Sequence, residues 1–350
     1  MPELPSSMQA AVYRGERDLV IEERPVPEVG AGDVLLEISH CGVCGSDLHF
    51  VLDGWGRPGS IEGHEFSGRV AAVGEGVKRW KVGDEVVGGP GAKCGECEYC
   101  RAGRPALCTG RGPLGEGDGT WQGAFAQFMR IPETNLLALP DGLSLRAAAL
   151  AEPLAVALHG LTRGAAHIGQ RILVTGAGPI GALSIAAAVA RGITDIVASE
   201  PSPLRRALAE QLGATAVTPD TLVPPRSPNR IVEEPFDVAL ECSGRADAME
   251  AALGQLKRAG TLVLVGAGMK PPQFDPNRIL LNELVVTGAC TYDAGGFDVA
   301  LELLASPGFP TDLLVEGDDV PLEGLFTAIE RLASGEIPAK VMIAPNRGRP

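Results

Sequence analysis

Hydrophobic positions change their spacing once along the chain. Up to about residue 150 they come in short runs separated by turn residues, such as AAVYRG, DLVIEERPVP, DVLLEISHCG, SGRVAAVG, DEVVGG and GTWQGAFAQFMRIP. The runs read as short extended segments, alternation in DVLLEI predicts a half-buried strand, and the first part is expected to be β-rich. From near Ala147 the style changes. AAALAEPLAVALHGL reads as helix, and then RILVTG, LSIAAAVARG, DIVASE, SPLRRALAEQLG, DVALECSG, DAMEAALGQLKRAG and TLVLVGAG alternate strand with helix. That alternation predicts an α/β unit with a doubly wound parallel sheet. Mixed character returns after LVVTGACTY, with helices expected at FDVALELLAS and GLFTAIERLASG and a short strand at KVMIAP. The proline-rich stretch from Pro219 to Pro235 interrupts the pattern and reads as an irregular surface connection.

At 350 residues the chain is long enough for two domains. A net charge of −14 argues against nucleic acid, which demands a concentrated basic face. No apolar run reaches the length of a membrane span, and the first residues carry no secretory signal, so a cytoplasmic protein is expected. In a reducing compartment the eight cysteines point to metal rather than disulfides.

Four of them, Cys94, Cys97, Cys100 and Cys108, are spaced to wrap four thiolates around one ion. Such a closed shell suits a structural zinc, with an iron–sulfur cluster as the alternative. Gly91, Gly95, Gly103 and Pro105 permit the turns between them. A second, dispersed set begins at Cys44 in CGSDLH, with Ser46, Asp47 and His49, and continues at His64 and Glu65 in GHE. Thiolate, imidazole and carboxylate form the kind of set that leaves zinc an open fourth position. Glu152, in AEPLAV, is a further carboxylate from a distant part of the chain.

RILVTGAGPIG places Gly176, Gly178 and Gly181 between an expected strand and an expected helix. In that context the glycines permit a tight turn, a close approach by a pyrophosphate, and close helix–strand packing. Glu200 closes the next strand, where a carboxylate accepts ribose hydroxyls and repels a 2′-phosphate, favouring NAD over NADP. Ser199 and Arg205 beside it pull towards a phosphate.

CGVCGSDLH, EGHEFSG, KVGDEVV, the four-cysteine loop, AEPLAV, GAGPIG and ECSG follow one another in order. Through these motifs the whole chain resembles the zinc-containing medium-chain alcohol dehydrogenases, in particular their polyol, butanediol and threonine dehydrogenase branch. The resemblance implies a GroES-like catalytic domain over residues 1–153, a Rossmann NAD-binding domain over 154–288, and a return to the catalytic domain over 289–350. It makes Cys44 and His64 catalytic zinc ligands, with Glu65 or Glu152 as the third, and implies two zinc ions per chain. Ser46 becomes the hydroxyl that takes the substrate proton, His49 the outer relay through the cofactor ribose, and Asp47 the orienting partner of His64. Pro179, Ile180, Cys242, Val265 and Gly266 join Gly176, Gly178, Gly181, Glu200 and Arg205 around the cofactor. Phe50, Trp55, Trp121 and Tyr292 are candidates for the substrate cleft; Cys41, His40, His159 and His167 carry no implied role. The expected reaction moves a hydride between a secondary alcohol or polyol and NAD in a homodimer or homotetramer. A zinc-independent quinone or enone reductase and a non-catalytic dinucleotide sensor are the competing readings. The short connection between Cys44 and His64 makes transfer of a particular substrate unsafe.

Overall fold

The computed structural model describes residues 4–90, 93–110 and 120–347, so the turn expected at Gly91 lies outside the described residues. Strands β1 (Ser7–Gly15) and β2 (Asp18–Pro25) form an antiparallel hairpin. The hub of the first unit is β3 (Asp33–Gly42), which pairs antiparallel with β4 (Glu65–Val73), β6 (Phe128–Pro132) and β14 (Met342–Ile343). β4 continues to β5 (Glu85–Gly88), and β5 to β7 (Leu136–Ala138). Val34, Leu36 and Ile38 of β3 pack with Phe66, Phe125 and Met129, all fully or nearly buried. Helix α1 (Gly45–Leu52) follows β3 directly, and a one-turn helix α2 (Glu98–Arg101) lies in the cysteine-rich lobe.

The helix expected over residues 147–161 is split between α3 (Leu145–Ala148) and α4 (Ala151–Arg163). Beyond it lies a six-stranded sheet of β8 (Arg171–Thr175), β9 (Asp195–Ser199), β10 (Thr215–Val217), β11 (Phe236–Glu241), β12 (Leu256–Leu264) and β13 (Val285–Gly288). All its neighbours run parallel, in the order β10-β9-β8-β11-β12-β13. Helices α5 (Pro179–Ala190), α6 (Pro203–Gln211), α7 (Ala246–Gly254) and α8 (Pro276–Asn282) make the crossovers. Strand residues alternate between two cores: Ile172 and Val174 face one, with α4 and α5, while Leu173 faces the other, with Leu253 and Leu256. The chain reverses its direction of winding between β8 and β11, which opens a crevice at their carboxyl ends.

Three expectations shift. The helix expected through Gly260 ends at Gly254, because fully buried Leu256 is drawn into β12 beside Phe236. The boundary expected at residue 153 falls inside α4. The segment after residue 289 is also divided. Helices α9 (Gly296–Ala305) and α10 (Thr311–Leu314) bury Phe297, Leu301 and Leu314 in the core containing α4, while α11 (Leu325–Ser334) and β14 join the first unit. Between Pro219 and Pro235 the chain is irregular apart from a 3-10 turn at Pro219–Thr221, as expected. It is pinned by Gln255 donating to the Val223 carbonyl (3.0 Å), Arg278 to Arg230 (2.8 Å) and Asn282 to Pro228 (2.7 Å). Among the described residues no helix is long and apolar enough to cross a membrane.

Candidate active site

Cys44, two residues past β3, is the N-cap of α1, and Asp47 one turn on accepts the Cys44 backbone N–H at 2.8 Å. That local bond fixes where the Cys44 thiol points. His64 and Glu65 arrive at the start of β4, whose pairing with β3 sets Glu65 opposite Gly42. Ligand atoms of Cys44, His64 and Glu65 all lie within 4.8 Å of one another. The Nε2 of His64 is 3.4 Å from the Ser46 hydroxyl, while Nδ1 faces Asp47 Oδ1 at 3.7 Å. The expected Asp47–His64 pairing is thus a charge contact longer than a hydrogen bond.

This cluster is charged, with its carboxylates buried and Cys44 and His64 half-buried. Burial pushes the Asp47 carboxyl up to about 6. Burial works against the His64 cation, but Cys44 and Asp47 outweigh it and hold its pKa well above the ordinary value. Glu152, at the start of α4, is buried and pushed up to about 7; it lies outside the three-donor set but close enough to feel His64 and Glu65. Glu65 Oε1 accepts from Lys340 Nζ at 2.8 Å in a pair with both side chains essentially inaccessible, and Lys340 also donates to the Val43 carbonyl at 3.0 Å. Glu65 Oε2 and Asp47 Oδ1 are buried without a hydrogen-bond partner. A thiolate, an imidazole and a carboxylate oxygen left without a donor fit a divalent zinc.

Two acidic or basic neighbours escaped sequence reasoning. Lys340 is separated from its partner by 275 positions and shows no local motif. Glu62 is also buried, and burial raises its carboxyl to about 7 beside Asp47 and His64. Its place immediately before GHE was the available signal.

The four-cysteine lobe is compact. Cys94 Sγ lies 3.5 Å from Cys108 Sγ and 4.0 Å from Cys100 Sγ. Four sulfurs at about 2.3 Å from one ion stand about 3.8 Å apart, far beyond a disulfide bond, so the lobe fits tetrahedral zinc. Backbone N–H groups of Cys100 and Thr109 draw the Cys97 thiol down to about 6, while burial drives Cys100 up to about 12.

At the crevice, Gly176 adopts φ +85°, and a Cβ on Gly181 would sit 1.9 Å from the Gly176 carbonyl. A Cβ on Gly178 would meet nothing nearer than Arg205, at 3.7 Å, so backbone there is open to a ligand at the N-terminus of α5. Pro179 and Ile180 form the first turn of that helix. Cys242, Val265 and Gly266 follow the carboxyl ends of β11 and β12, and Gly266 packs against the Gly244 N–H. Glu200 directly follows β9, and its two oxygens accept the backbone N–H groups of Ala177 and Ser202, each at 2.8 Å, so it also ties the glycine loop to the start of α6. Arg205 donates to the carbonyls of Leu332 and Ile337, and Arg206 to those of Glu200 and Pro201.

Across the cleft, His49 stacks on Trp55 at 4.7 Å, pairs through Nδ1 with Asp53 (2.7 Å), and reaches the Ala267 carbonyl through Nε2 (3.2 Å). Trp55 is largely exposed, Trp121 packs on the first core, and Phe50 is half-buried on α1. Tyr292 packs edge-on to Phe297, 5.3 Å away, and its hydroxyl crowds Gly89 together with Glu152. Cys41 is fully buried, and burial raises its thiol. His40 is tied to Asp319 at 3.2 Å, and His167 to the Ile168 carbonyl at 2.9 Å.

Comparison with known proteins decides the family. Residues 30–141 match the alcohol dehydrogenase GroES-like domain and residues 179–306 the zinc-binding dehydrogenase domain. Sorbitol dehydrogenase of Bacillus subtilis is 36% identical, covering 98% of this chain and 99% of its own. The chain belongs to the zinc-type medium-chain alcohol dehydrogenases. Among solved structures, 2R,3R-butanediol dehydrogenase from Bacillus subtilis superposes with a TM-score of 0.84 at 34% identity, covering 97% of this chain and 100% of its own. A zinc-binding dehydrogenase from Sinorhizobium meliloti bound to NADP gives 0.83 at 29% identity over 97% and 100%. The chain is therefore an NAD(P)-dependent alcohol dehydrogenase with a GroES-like and a Rossmann-type part.

Proposed function

We propose that this enzyme oxidises a secondary alcohol or polyol to a ketone with NAD, and runs the reverse reduction at the same site. The observation that carries the reading is the Cys44–His64–Glu65 donor set beside Ser46 on α1. Cys44, His64 and Glu65 hold the catalytic zinc, with Glu152 close enough to exchange with Glu65. When bound, that ion would lower the alcohol pKa and, in reverse, polarise a carbonyl. Ser46 accepts the hydroxyl proton, and His49, one turn along α1 and held by Asp53, passes it outward. Asp47 keeps Cys44 and His64 in place. Residues Gly176 to Gly181 seat the pyrophosphate, with Cys242, Val265 and Gly266 flanking the dinucleotide at the carboxyl ends of the strands. The second zinc belongs to Cys94, Cys97, Cys100 and Cys108.

NAD is favoured because Glu200 places a carboxylate after β9 while the guanidinium groups of Arg205 and Arg206 are engaged by carbonyls. The sorbitol and butanediol dehydrogenases similar to this chain point to a polyol or vicinal diol. Residues before α4, with α11 and β14, form the catalytic part, and β8 to β13 the cofactor part. Two copies are proposed to join along β13, a sheet edge with Val285 and Val286 exposed near exposed Leu280 and Leu281 of α8. A cytoplasmic setting agrees with eight unpaired cysteines.

The test is metal content on protein purified without added metal, followed by an NAD-linked screen opening with sorbitol and 2,3-butanediol. Two zincs per chain are expected. Cys44→Ala should lose one zinc and nearly all turnover while still binding NADH. A Cys44→Ala enzyme that keeps most of its activity would overturn the reading.

A further inference from the structure

Asp293 occupies a junction that the reaction chemistry leaves unexplained. It lies in the loop between β13 and α9, directly after Tyr292. Its Oδ2 is 3.5 Å from Arg104 Nε and 3.8 Å from His159 Nδ1, while its Oδ1 is buried without a hydrogen-bond partner. Arg104 belongs to the cysteine lobe, between Cys100 and Cys108. It is fixed there by its backbone N–H on the Tyr99 carbonyl at 2.8 Å, and its carbonyl takes the Leu107 N–H at 3.0 Å. A second tie runs alongside, as the Ala294 N–H donates to the Gly103 carbonyl at 3.3 Å. His159 stands on α4, the helix that begins with Glu152 near the catalytic cluster.

The loop so held is strained. Thr291 adopts φ +52°, an uncommon conformation for a β-branched residue, and its buried hydroxyl lacks a hydrogen-bond partner. Such a backbone persists when its surroundings impose it. The outcome of that geometry is the position of Tyr292. Its hydroxyl, the Glu152 Cγ and the Phe297 ring all crowd Gly89, at 2.3, 3.1 and 3.1 Å from where a Cβ would stand.

We infer that Asp293 is a positioning residue that clamps the four-cysteine lobe to the 289–295 loop and so holds Tyr292 against Glu152 as a wall of the alcohol site. The lobe then does more than add stability: its folded shape sets a surface of the catalytic centre. Arg104 and Gly103 are the lobe's side of the clamp, and His159 of α4 faces the same carboxylate at 3.8 Å. This inference rests on the proposed placement of the alcohol near Glu152.

The experiment uses the zinc-loaded enzyme as Asp293→Ala, Arg104→Ala, the double variant and Arg104→Lys. It measures zinc per chain, NADH affinity, the KM and kcat for the alcohol turned over fastest in the screen, and deuterium uptake of residues 289–295. Each single alanine variant should raise alcohol KM about tenfold, and the double should raise it no further, because both remove one contact. Arg104→Lys should recover part of that loss. Zinc content and NADH affinity should stay put, and deuterium uptake in the loop should rise. Multiplying effects in the double variant, or equal losses in alcohol and NADH binding, would overturn the clamp. A KM change without altered loop exchange would also overturn it while leaving the site reading intact. Altered exchange without any KM change would remove Tyr292 from the alcohol site.

Discussion

Lys340→Met tests whether the charge of Glu65 is shared between a buried lysine and a metal. The ammonium sits 2.8 Å from Glu65 Oε1, with neither side chain accessible to more than 1%. At an effective dielectric of about 20 that attraction is about 6 kcal/mol, against which desolvation of both ions must be set. Methionine keeps the apolar stem and deletes the cation, leaving a carboxylate buried without its partner. Without metal the loss should be about 3–5 kcal/mol. Glu65 Oε2 is the oxygen with no hydrogen-bond partner, and Glu65 belongs to the donor set, so zinc should supply much of the missing positive charge. The loss in the zinc-loaded enzyme should then fall by about half or more. All three tryptophans, Trp55, Trp80 and Trp121, belong to the first unit, so their fluorescence in urea follows this part of the molecule. Midpoints measured with chelator and with zinc, for wild type and variant, give the four numbers required. The double variant Lys340→Met with Glu65→Gln should recover most of the metal-free loss, since neither charge of that pair remains. A loss below about 1 kcal/mol without metal, or the same loss with and without zinc, would refute the reasoning.

The glycine loop gives a contrasting pair: Gly178→Ala has room for its Cβ and should fold normally while NADH binding weakens at least tenfold. Gly181→Ala drives a Cβ to 1.9 Å from the Gly176 carbonyl and should lower the melting temperature as well. Calorimetry beside NADH titration separates the two, and equal stability losses would contradict the assigned geometry. Acid should stabilise the metal-free protein between about pH 7.5 and 5. Asp47 at about 6, and Glu62 and Glu152 at about 7, all stand above their ordinary values, so the folded state holds protons that the unfolded chain releases. Their contribution is present at low pH and lost as pH rises through the folded values, and raised His64 acts in the same direction. Zinc should flatten or reverse this slope; a metal-free protein whose urea midpoint rises steadily from pH 5 to 7.5 would contradict it.

Much of the architecture was legible because it is written locally. Closely spaced cysteines can meet with little intervening chain, and the strand–helix alternation after Ala147 carries its own periodicity. Cys44 and Asp47 belong to one helical turn, so their relation survives in sequence. What stayed hidden depends on contacts between remote segments. Lys340 reads as the first residue of a short strand until β14 pairs with β3 and brings it to Glu65. His159, set aside for want of a motif, joins Asp293 only after α4 and the 289–295 loop are packed. That Glu200 also takes backbone donors from Ala177 in the glycine loop and from Ser202 depends on how the loop folds back over the end of β9, which leaves no mark in the sequence. The end of α7 was misjudged for a similar reason, since burial of Leu256 outweighs the helical propensity of LKRA.

The pairing of β14 with β3 orders events during synthesis. Ribosomes deliver β3 and Glu65 early, yet the cation that neutralises Glu65 emerges 275 positions later, after the entire parallel sheet. The nascent first unit therefore carries an unbalanced acid and an open flank on β3, where Cys41 and Gly42 await Ile343 and Met342. Early zinc capture would supply that balance ahead of the lysine. Metal supply would then govern the yield of native chains as well as their activity, and zinc-starved cells would accumulate misfolded enzyme rather than intact apoenzyme.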